Sequence, residues 1–426
     1  MGYFKDAPVR HDSAIDQSTV TSPQMSKFRL SPSTETDTAH KFHVRKATKP
    51  AELRKAVSFR YLAEGAANVV YEMVPYDVYA EDLDDAPFIF YELGSDDTKV
   101  CRSLDVTSKV LRVCKSSPKL PSGLSIKNNF EDVIKPLFQS GFEHYLMHHD
   151  HIALSDSAGS ELKRMFKNRP LKAAKGSTAS LDTATGLLLP NVASVPGHTL
   201  TIEIKPKWLA QSPNAPEDAH RCRTCAVRAM FHHKQEKTKK AYTICPLQLA
   251  TGNSDLIQIF ISGSLKPRED GSWKVEGVPD RGVIVAAMTA YLATGPGHAL
   301  LGHIRELQEQ HDPHGVLDLD PTDPDVQHNL RLAMTLRDCS LFVTARWHDK
   351  SNSNSSEATP PPTPTPGSKS GTLTVEVESK LGDLDFKSPE KLEDWKEKER
   401  ELVSQGWYAG NTPGEECGVA TKPGRK

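Results

Sequence analysis

Hydrophobic and polar positions change rhythm several times along the chain, and each change marks a segment. Residues 1–50 are rich in Ser, Thr, Asp and Lys without apolar periodicity. Such a stretch buries too little apolar surface to offset the entropy of ordering, so a disordered leader outside the fold is expected. Short runs with strand character follow, "NVVYEMV" (68–74), "FIFYEL" (88–93) and "KVLRVCK" (109–115), separated by polar turns; they predict a small sheet. The segment 130–170 and the segments 281–311 and 325–336 have longer amphipathic stretches and predict helices. Within and beyond the first of these, 155–186 is only partly periodic and reads as unstructured. Two strand-like runs, "DCSLFVTARW" and "TLTVEVE", flank the Pro/Ser/Thr-rich 351–371, "SNSNSSEATPPPTPTPGSKSG". That arrangement predicts a hairpin with an overgrown, flexible tip. No repeat at solenoid spacing is visible.

Composition bounds what these elements can build. A chain of 426 residues and 47.0 kDa is long enough for about two domains. Hydrophobic content of 37%, 30 prolines and a mean hydropathy of -0.50 place much of it in polar loops. Lys+Arg at 53 against Asp+Glu at 55 leaves no global basic field, which argues against nucleic-acid binding while allowing a local cationic pocket. Seven cysteines, mostly scattered, and no apolar signal segment predict a reduced, soluble, intracellular chain of the nucleus or cytoplasm. No run approaches the roughly 20 apolar residues of a membrane span. A monomer is expected.

The candidate chemistry is spread along the chain. "AEGAANVVYEM" places Gly65, Ala66, Ala67 and Asn68 before a strand, where a small-residue turn either merely reverses the chain or brings its backbone N–H groups to phosphate oxygens. Arg112, mid-strand between apolar neighbours, is either structurally paired or aimed at a phosphate. In "TIEIKPKW" (201–208), strand alternation puts Glu203, Lys205 and Lys207 on one face and Ile202, Ile204 and Pro206 on the other. Two ammonium groups on one face call for an anion unless the face is simply solvated, and Pro206 favours a sheet edge. Asp338 in "LRDCSLFV" is a candidate general base or the acceptor of an Asx turn. In "KLGDLDFKSPEKL", Asp383 and Asp385 offer the hard oxygen ligands that Mg²⁺ takes, with Lys387 just beyond. Together these are parts for phosphoryl transfer, in which positioning and charge neutralisation dominate. Neither a P-loop G-K-[ST] nor the H-R-D and D-F-G signatures occurs. Cys222 and Cys225 form a C-x-x-C beside His220, His232, His233 and Cys245. Either they help hold a structural Zn²⁺ or they are a reduced pair among Arg221, Arg223 and Arg228.

In this order "EGAANVV", "EIKPKW", "HRCRTCAVRAM", "CPLQLATGN", "RDCSLFV" and "GDLDFK" resemble the inositol-pentakisphosphate 2-kinases, in a fungal flavour, over roughly residues 59–395. The resemblance implies a two-lobed kinase-like α/β fold, with a small mainly β N-lobe in 51–190, a larger α/β C-lobe in 191–410 and a polar tail in 411–426. It implies ATP with Mg²⁺ and phosphorylation of the 2-hydroxyl of inositol 1,3,4,5,6-pentakisphosphate to inositol hexakisphosphate. Asp338 would be the base, helped by Lys205, and Asp383 with Asp385 the Mg²⁺ ligands. Gly65, Ala66, Ala67, Asn68, Arg112 and Lys205 would meet the nucleotide phosphates. Glu203 and "LLPNV" (188–192) would lie near the adenine. Lys207, Asn253, Lys387, Lys391 and Trp395 fall where the family contacts inositol phosphate. The family's loop more often reads G-E-G-G-A-N, and Leu256 stands where it carries a cation. A non-catalytic inositol-phosphate-binding module on the same scaffold is the alternative. It would not need Asp338 or Asp383.

Overall fold

The computed structural model describes residues 53–79, 91–93, 99–100, 108–117, 120–139, 141–169, 180–235, 244–265, 278, 280–320, 322–349, 373–409 and 417. The expected leader, the insertion 351–371 and the polar tail apart from Cys417 lie outside the described residues.

Among the described residues eight strands make the first sheet: β1 (Leu53–Glu64), β2 (Asn68–Tyr79), β3 (Tyr91–Leu93), β4 (Lys99–Val100), β5 (Lys109–Ser116), β6 (Asp150–Ala153), β7 (Ser180–Leu181) and β8 (Thr185–Pro190). Their order is β1-β2-β5-β8-β6-β3-β4, with β7 on β5, and every pairing is antiparallel. Of the three runs read as strands, "NVVYEMV" falls on β2, "KVLRVCK" on β5 and the end of "FIFYEL" on β3, residues 88–90 lying outside the described residues; the register of β2 on β5 sets Val69 against Val113 and Tyr71 against Leu111. Those four side chains are buried together with Leu162 and Phe166, so alternation along β2 and β5 gives the sheet its apolar face.

Three expectations are corrected between residues 120 and 190. After α1 (Gly123–Asn129), 130–138 is helical but irregular, a π turn over Phe130–Ile134 followed by a 3-10 turn over Lys135–Phe138. Pro136, which has no N–H to give, sits at that change. The "DHIA" run expected as helix is strand β6, inserted between β8 and β3. An apolar run that short fits either periodicity, and the slot in the sheet decides. The part of 155–186 expected to be unstructured contains α2 (Asp156–Lys167). Ser155 caps it by accepting from Ala158 N at 3.2 Å, and Ala158, Leu162 and Phe166 recur every four residues on its buried side.

The remainder pairs helices with a second sheet. In chain order these are β9 (Thr199–Ile204), α3 (Arg223–Gln235), α4 (Pro246–Ala250), α5 (Ser254–Ser264), α6 (Arg281–Ala293), α7 (Pro296–His311), α8 (Pro324–Leu336), β10 (Ser340–Asp349), β11 (Leu373–Gly382) and α9 (Leu392–Ser404). The sheet runs β11-β10-β9, antiparallel, and the expected hairpin pairs from Ser340↔Gly382 to Asp349↔Leu373. The stretch Arg281–His311 is long and apolar enough to cross a membrane by composition. Here it divides at Thr294–Gly295 into α6 and α7, whose Ile284, Met288, Leu292, Leu300 and Ile304 lie in the main core. The two sheets meet where Val110 of β5, Met147 and Leu189 of β8 pack with Phe342 of β10. A bridge between Leu146 and Leu381 lies beside that contact. Gly382 fits there because a Cβ would stand 3.0 Å from Met147 Sδ and from Phe342 Cε2. The whole is a mixed α/β fold with antiparallel sheets.

Candidate functional site

The lysine motif begins as a strand and then departs from it. Ile202 and Ile204 are buried and Glu203 exposed, as alternation requires, and β9 is the edge of its sheet. The strand stops at Ile204; beyond Pro206, Lys207 takes φ 58°. Glu203 and Lys205 therefore share one polar cluster, while Lys207 reaches another carboxylate. Among the described residues, Lys207 and Asp383 (φ 54°) are the non-glycine residues with positive φ. Left-handed backbone costs an ordinary side chain about 1–2 kcal/mol and tends to be kept where function needs it. Both residues belong to the candidate site.

Three of the four carboxylates meet cations here. Lys205 Nζ lies 2.6 Å from Asp383 Oδ2 and 3.3 Å from Glu203 Oε1. It also donates to Ser340 Oγ, which is 2.7 Å from both Glu203 Oε1 and Asp383 Oδ2. Lys207 Nζ and Lys387 Nζ take the two oxygens of Asp338, at 2.9 and 2.6 Å. Asp338 is thus engaged by two ammonium groups and not by a backbone Asx turn. Burial works to raise its pKa, but Lys387 and Lys207 outweigh it and bring the value down to about 2. Burial likewise opposes the charge of Asp383, and Lys205, Ser340 and Arg112 overcome it, so that its pKa is lowered.

The fourth carboxylate joins the sheets. Arg112, buried on β5, pairs with Asp385, which follows β11. Asp385 Oδ1 is buried and has no hydrogen-bond partner. An unpartnered anionic oxygen beside Asp383 fits a hard divalent cation such as Mg²⁺. His149 packs edge-on to Phe130, 4.4 Å between ring centroids. Burial first and Arg112 second lower its pKa to about 4, so it is neutral at pH 7.

The small-residue turn Gly65–Asn68 joins β1 to β2, closed by Gly65 N–H to Asn68 O at 2.9 Å. Lys115 binds it from β5, donating its Nζ to Gly65 O (2.8 Å) and its N–H to Ala67 O (2.8 Å). Lys115 also pairs with Glu64 at 2.6 Å, and Arg169 meets the same carboxylate at 2.7 Å. All three side chains are 6% exposed. This clamp, Ser340 and His149 were not visible as site residues in the sequence, since their partners lie many residues away. Gln308 was missed for the same reason. Buried on α7, it accepts from Leu209 N–H (3.0 Å) and donates to Lys207 O (2.9 Å), fixing the turn that carries Lys207.

The other expected residues take no part in these ion pairs. Asn253 caps α5, accepting from Leu256 N–H at 3.1 Å. Lys391 pairs with Asp394 at 3.2 Å. Trp395 is 8% exposed in an apolar cluster with Trp208, Leu330 and Met334. Leu188 and Leu189 are buried on β8. Arg223 pairs with Glu399 at 2.6 Å and stacks on Trp208, and Arg228 donates to Ile244 O. Cys222 and Cys225 meet Cys245 and Cys417 in a separate cluster.

The chain is similar to known proteins over most of its length. The family model described as inositol-pentakisphosphate 2-kinase matches residues 61–401, well over half of the chain. The chain is also 26% identical over 336 residues to an inositol-pentakisphosphate 2-kinase from Yarrowia lipolytica (strain CLIB 122 / E 150), covering 78% of this chain and 96% of that relative.

Proposed function

The chain belongs to the inositol-pentakisphosphate 2-kinase family, and from that premise we propose that it transfers the γ-phosphoryl group of ATP to the 2-hydroxyl of inositol 1,3,4,5,6-pentakisphosphate, giving inositol hexakisphosphate and ADP. The scaffold we propose is two-lobed and kinase-like, divided between β8 and β9; the strands of the first sheet end by Pro190 and those of the second follow it.

The observation that carries the reading is Asp338 held between Lys207 and Lys387. With both ammonium groups in place the carboxylate is a weak base. A polyphosphate offers those cations other anions. As they turn to its phosphates, Asp338 becomes more basic and stands where the proton of the attacking hydroxyl must go. Lys205 and Arg112 meet the ATP phosphates on the other side, and the Lys115-braced turn of Gly65, Ala66, Ala67 and Asn68 covers them. Glu203 and residues 188–192 lie toward the adenine. Asp383 and Asp385 would hold Mg²⁺, which would supply charge neutralisation at the transferring phosphates. Asn253 uses its Oδ1 for the helix cap, leaving its amide nitrogen for a substrate phosphate; Lys391 and Trp395 complete that side.

The test is turnover of purified protein with ATP, Mg²⁺ and the pentakisphosphate, the product's phosphate positions being assigned by NMR. Formation of the hexakisphosphate is expected. Calorimetric binding of both ligands without turnover would instead mark a binding module on the family's scaffold.

A further inference from the structure

Lys387 stands where no ladder holds the backbone. Residues 383–388 lie in neither helix nor strand, so their main-chain groups need partners from elsewhere. At Lys387 both partners are side chains of α8. Its N–H donates to Thr335 Oγ1 at 3.1 Å, and its carbonyl accepts from Arg331 Nε at 2.6 Å. Each of the two is itself fixed. Thr335 is 0% exposed, and its Oγ1 donates to Arg331 O at 2.8 Å; with the proton committed there, the oxygen can only accept from Lys387. The Arg331 guanidinium carbon lies 4.1 Å from the centroid of the Phe386 ring.

The same helix leads into Asp338. Arg331, Thr335 and Asp338 are spaced four and three residues apart, which keeps them on one helical face. Asp338 extends that face past Leu336, its N–H donating to Thr335 O at 3.0 Å. Thr335 therefore bonds the backbones of both members of the Lys387–Asp338 ion pair, whose charged atoms stand 2.6 Å apart.

We propose that Thr335 and Arg331 are positioning residues that aim Lys387 beside Asp338 and thereby set how tightly the site takes its phosphorylated substrate. This rests on the reading of Lys387 as a contact of the inositol phosphate. Both residues act through Lys387.

Thr335→Val keeps the shape and removes the acceptor. Calorimetric titration of the full-length protein with inositol pentakisphosphate should show binding weakened by roughly five- to tenfold, as when a buried N–H loses its partner, with ATP binding unchanged. In turnover, KM for the pentakisphosphate should rise while KM for ATP holds. Thr335→Ser retains the hydroxyl and should restore both. In a Lys387→Ala background Thr335→Val should add no further loss of binding, because the residue it aims is gone. Arg331→Met keeps an unbranched stem over Phe386 without the Nε donor, and it carries the same cycle even if Thr335→Val fails to fold. Unchanged binding in folded Thr335→Val or Arg331→Met protein would overturn the proposal, as would losses that simply add to that of Lys387→Ala. Wild-type protein that binds the pentakisphosphate without turning it over would count against the kinase reading alone, and the binding cycle would still decide this one.

Discussion

Asp338 carries two cations on one carboxylate, and its acidity follows from them. A carboxylate whose pKa falls on folding stabilises the fold above its ordinary 3.8 and loses that contribution as pH falls toward about 2. Asp338 in the free protein is therefore ionised across any practical assay range. Asp338→Asn keeps the shape and an acceptor oxygen but cannot take the proton. Turnover should fall by roughly 10²–10⁴ in kcat while calorimetry still detects both substrates; near-normal kcat would remove Asp338 from catalysis. His149 gives the opposite charge change. It is neutral when folded and protonates more readily unfolded, so stability should decline as pH falls from about 6.5 toward about 4. His149→Gln should flatten that decline, worth up to about 3 kcal/mol, in urea melts across the range. At Lys207 the backbone and side chain can be tested separately. Both Lys207→Gly and Lys207→Ala should raise KM for the inositol phosphate with little change in KM for ATP, whereas Lys205→Ala should act mainly on ATP. Glycine should be the more stable of the Lys207 replacements by about 1 kcal/mol, because φ is 58° there. Equal urea midpoints would show that the turn relaxes.

Between residues and the whole stands the pairing of α7 with the turn after β9. Gln308→Leu would leave Leu209 N–H and Lys207 O without their present partner, costing about 1–3 kcal/mol of stability. If the contact also aims Lys207, KM for the inositol phosphate should rise several-fold while KM for ATP holds; a melting change with both constants unmoved would make Gln308 purely structural. The elements differ in how legible they were. β2, β5 and the β10/β11 hairpin announce themselves through alternating Val, Tyr and Leu positions. Helix α2 hides because Ser, Gly and Lys dilute the four-residue recurrence of Ala158, Leu162 and Phe166. β6 is too short to carry its own signal. Lys205, Lys207, Asp338, Asp383 and Lys387 were legible as chemistry from local motifs. Which lysine meets which carboxylate was not, because strand alternation ends at Ile204 and the turn at Lys207 redirects the second ammonium group. Glu64, Lys115 and Arg169 become a clamp only when β1, β5 and the end of α2 assemble.

For the molecule as a whole, the hairpin offers a test of economy. Asp349 and Leu373 are directly paired across the sheet, so a turn of a few residues suffices to connect them. Replacing 351–371 with a short Gly/Ser bridge should leave turnover within a few-fold, and a folded but inactive product would assign the insertion a part in the chemistry. The ion pairs of the candidate site have a larger consequence. Lys205 rests on Asp383, Lys207 and Lys387 on Asp338, and Arg112 on Asp385. On the proposed reaction, a polyanion would enter by counter-ion exchange, and its valence would set how many internal anions it displaces. An inositol with too few phosphates would, on that reaction, engage one lysine and leave Asp338 quenched by the other, so it would bind without reacting. Selectivity in the proposed reaction would then reside in the turnover of bound ligands more than in their affinities, and poorly phosphorylated inositols should act as competitors instead of slow substrates.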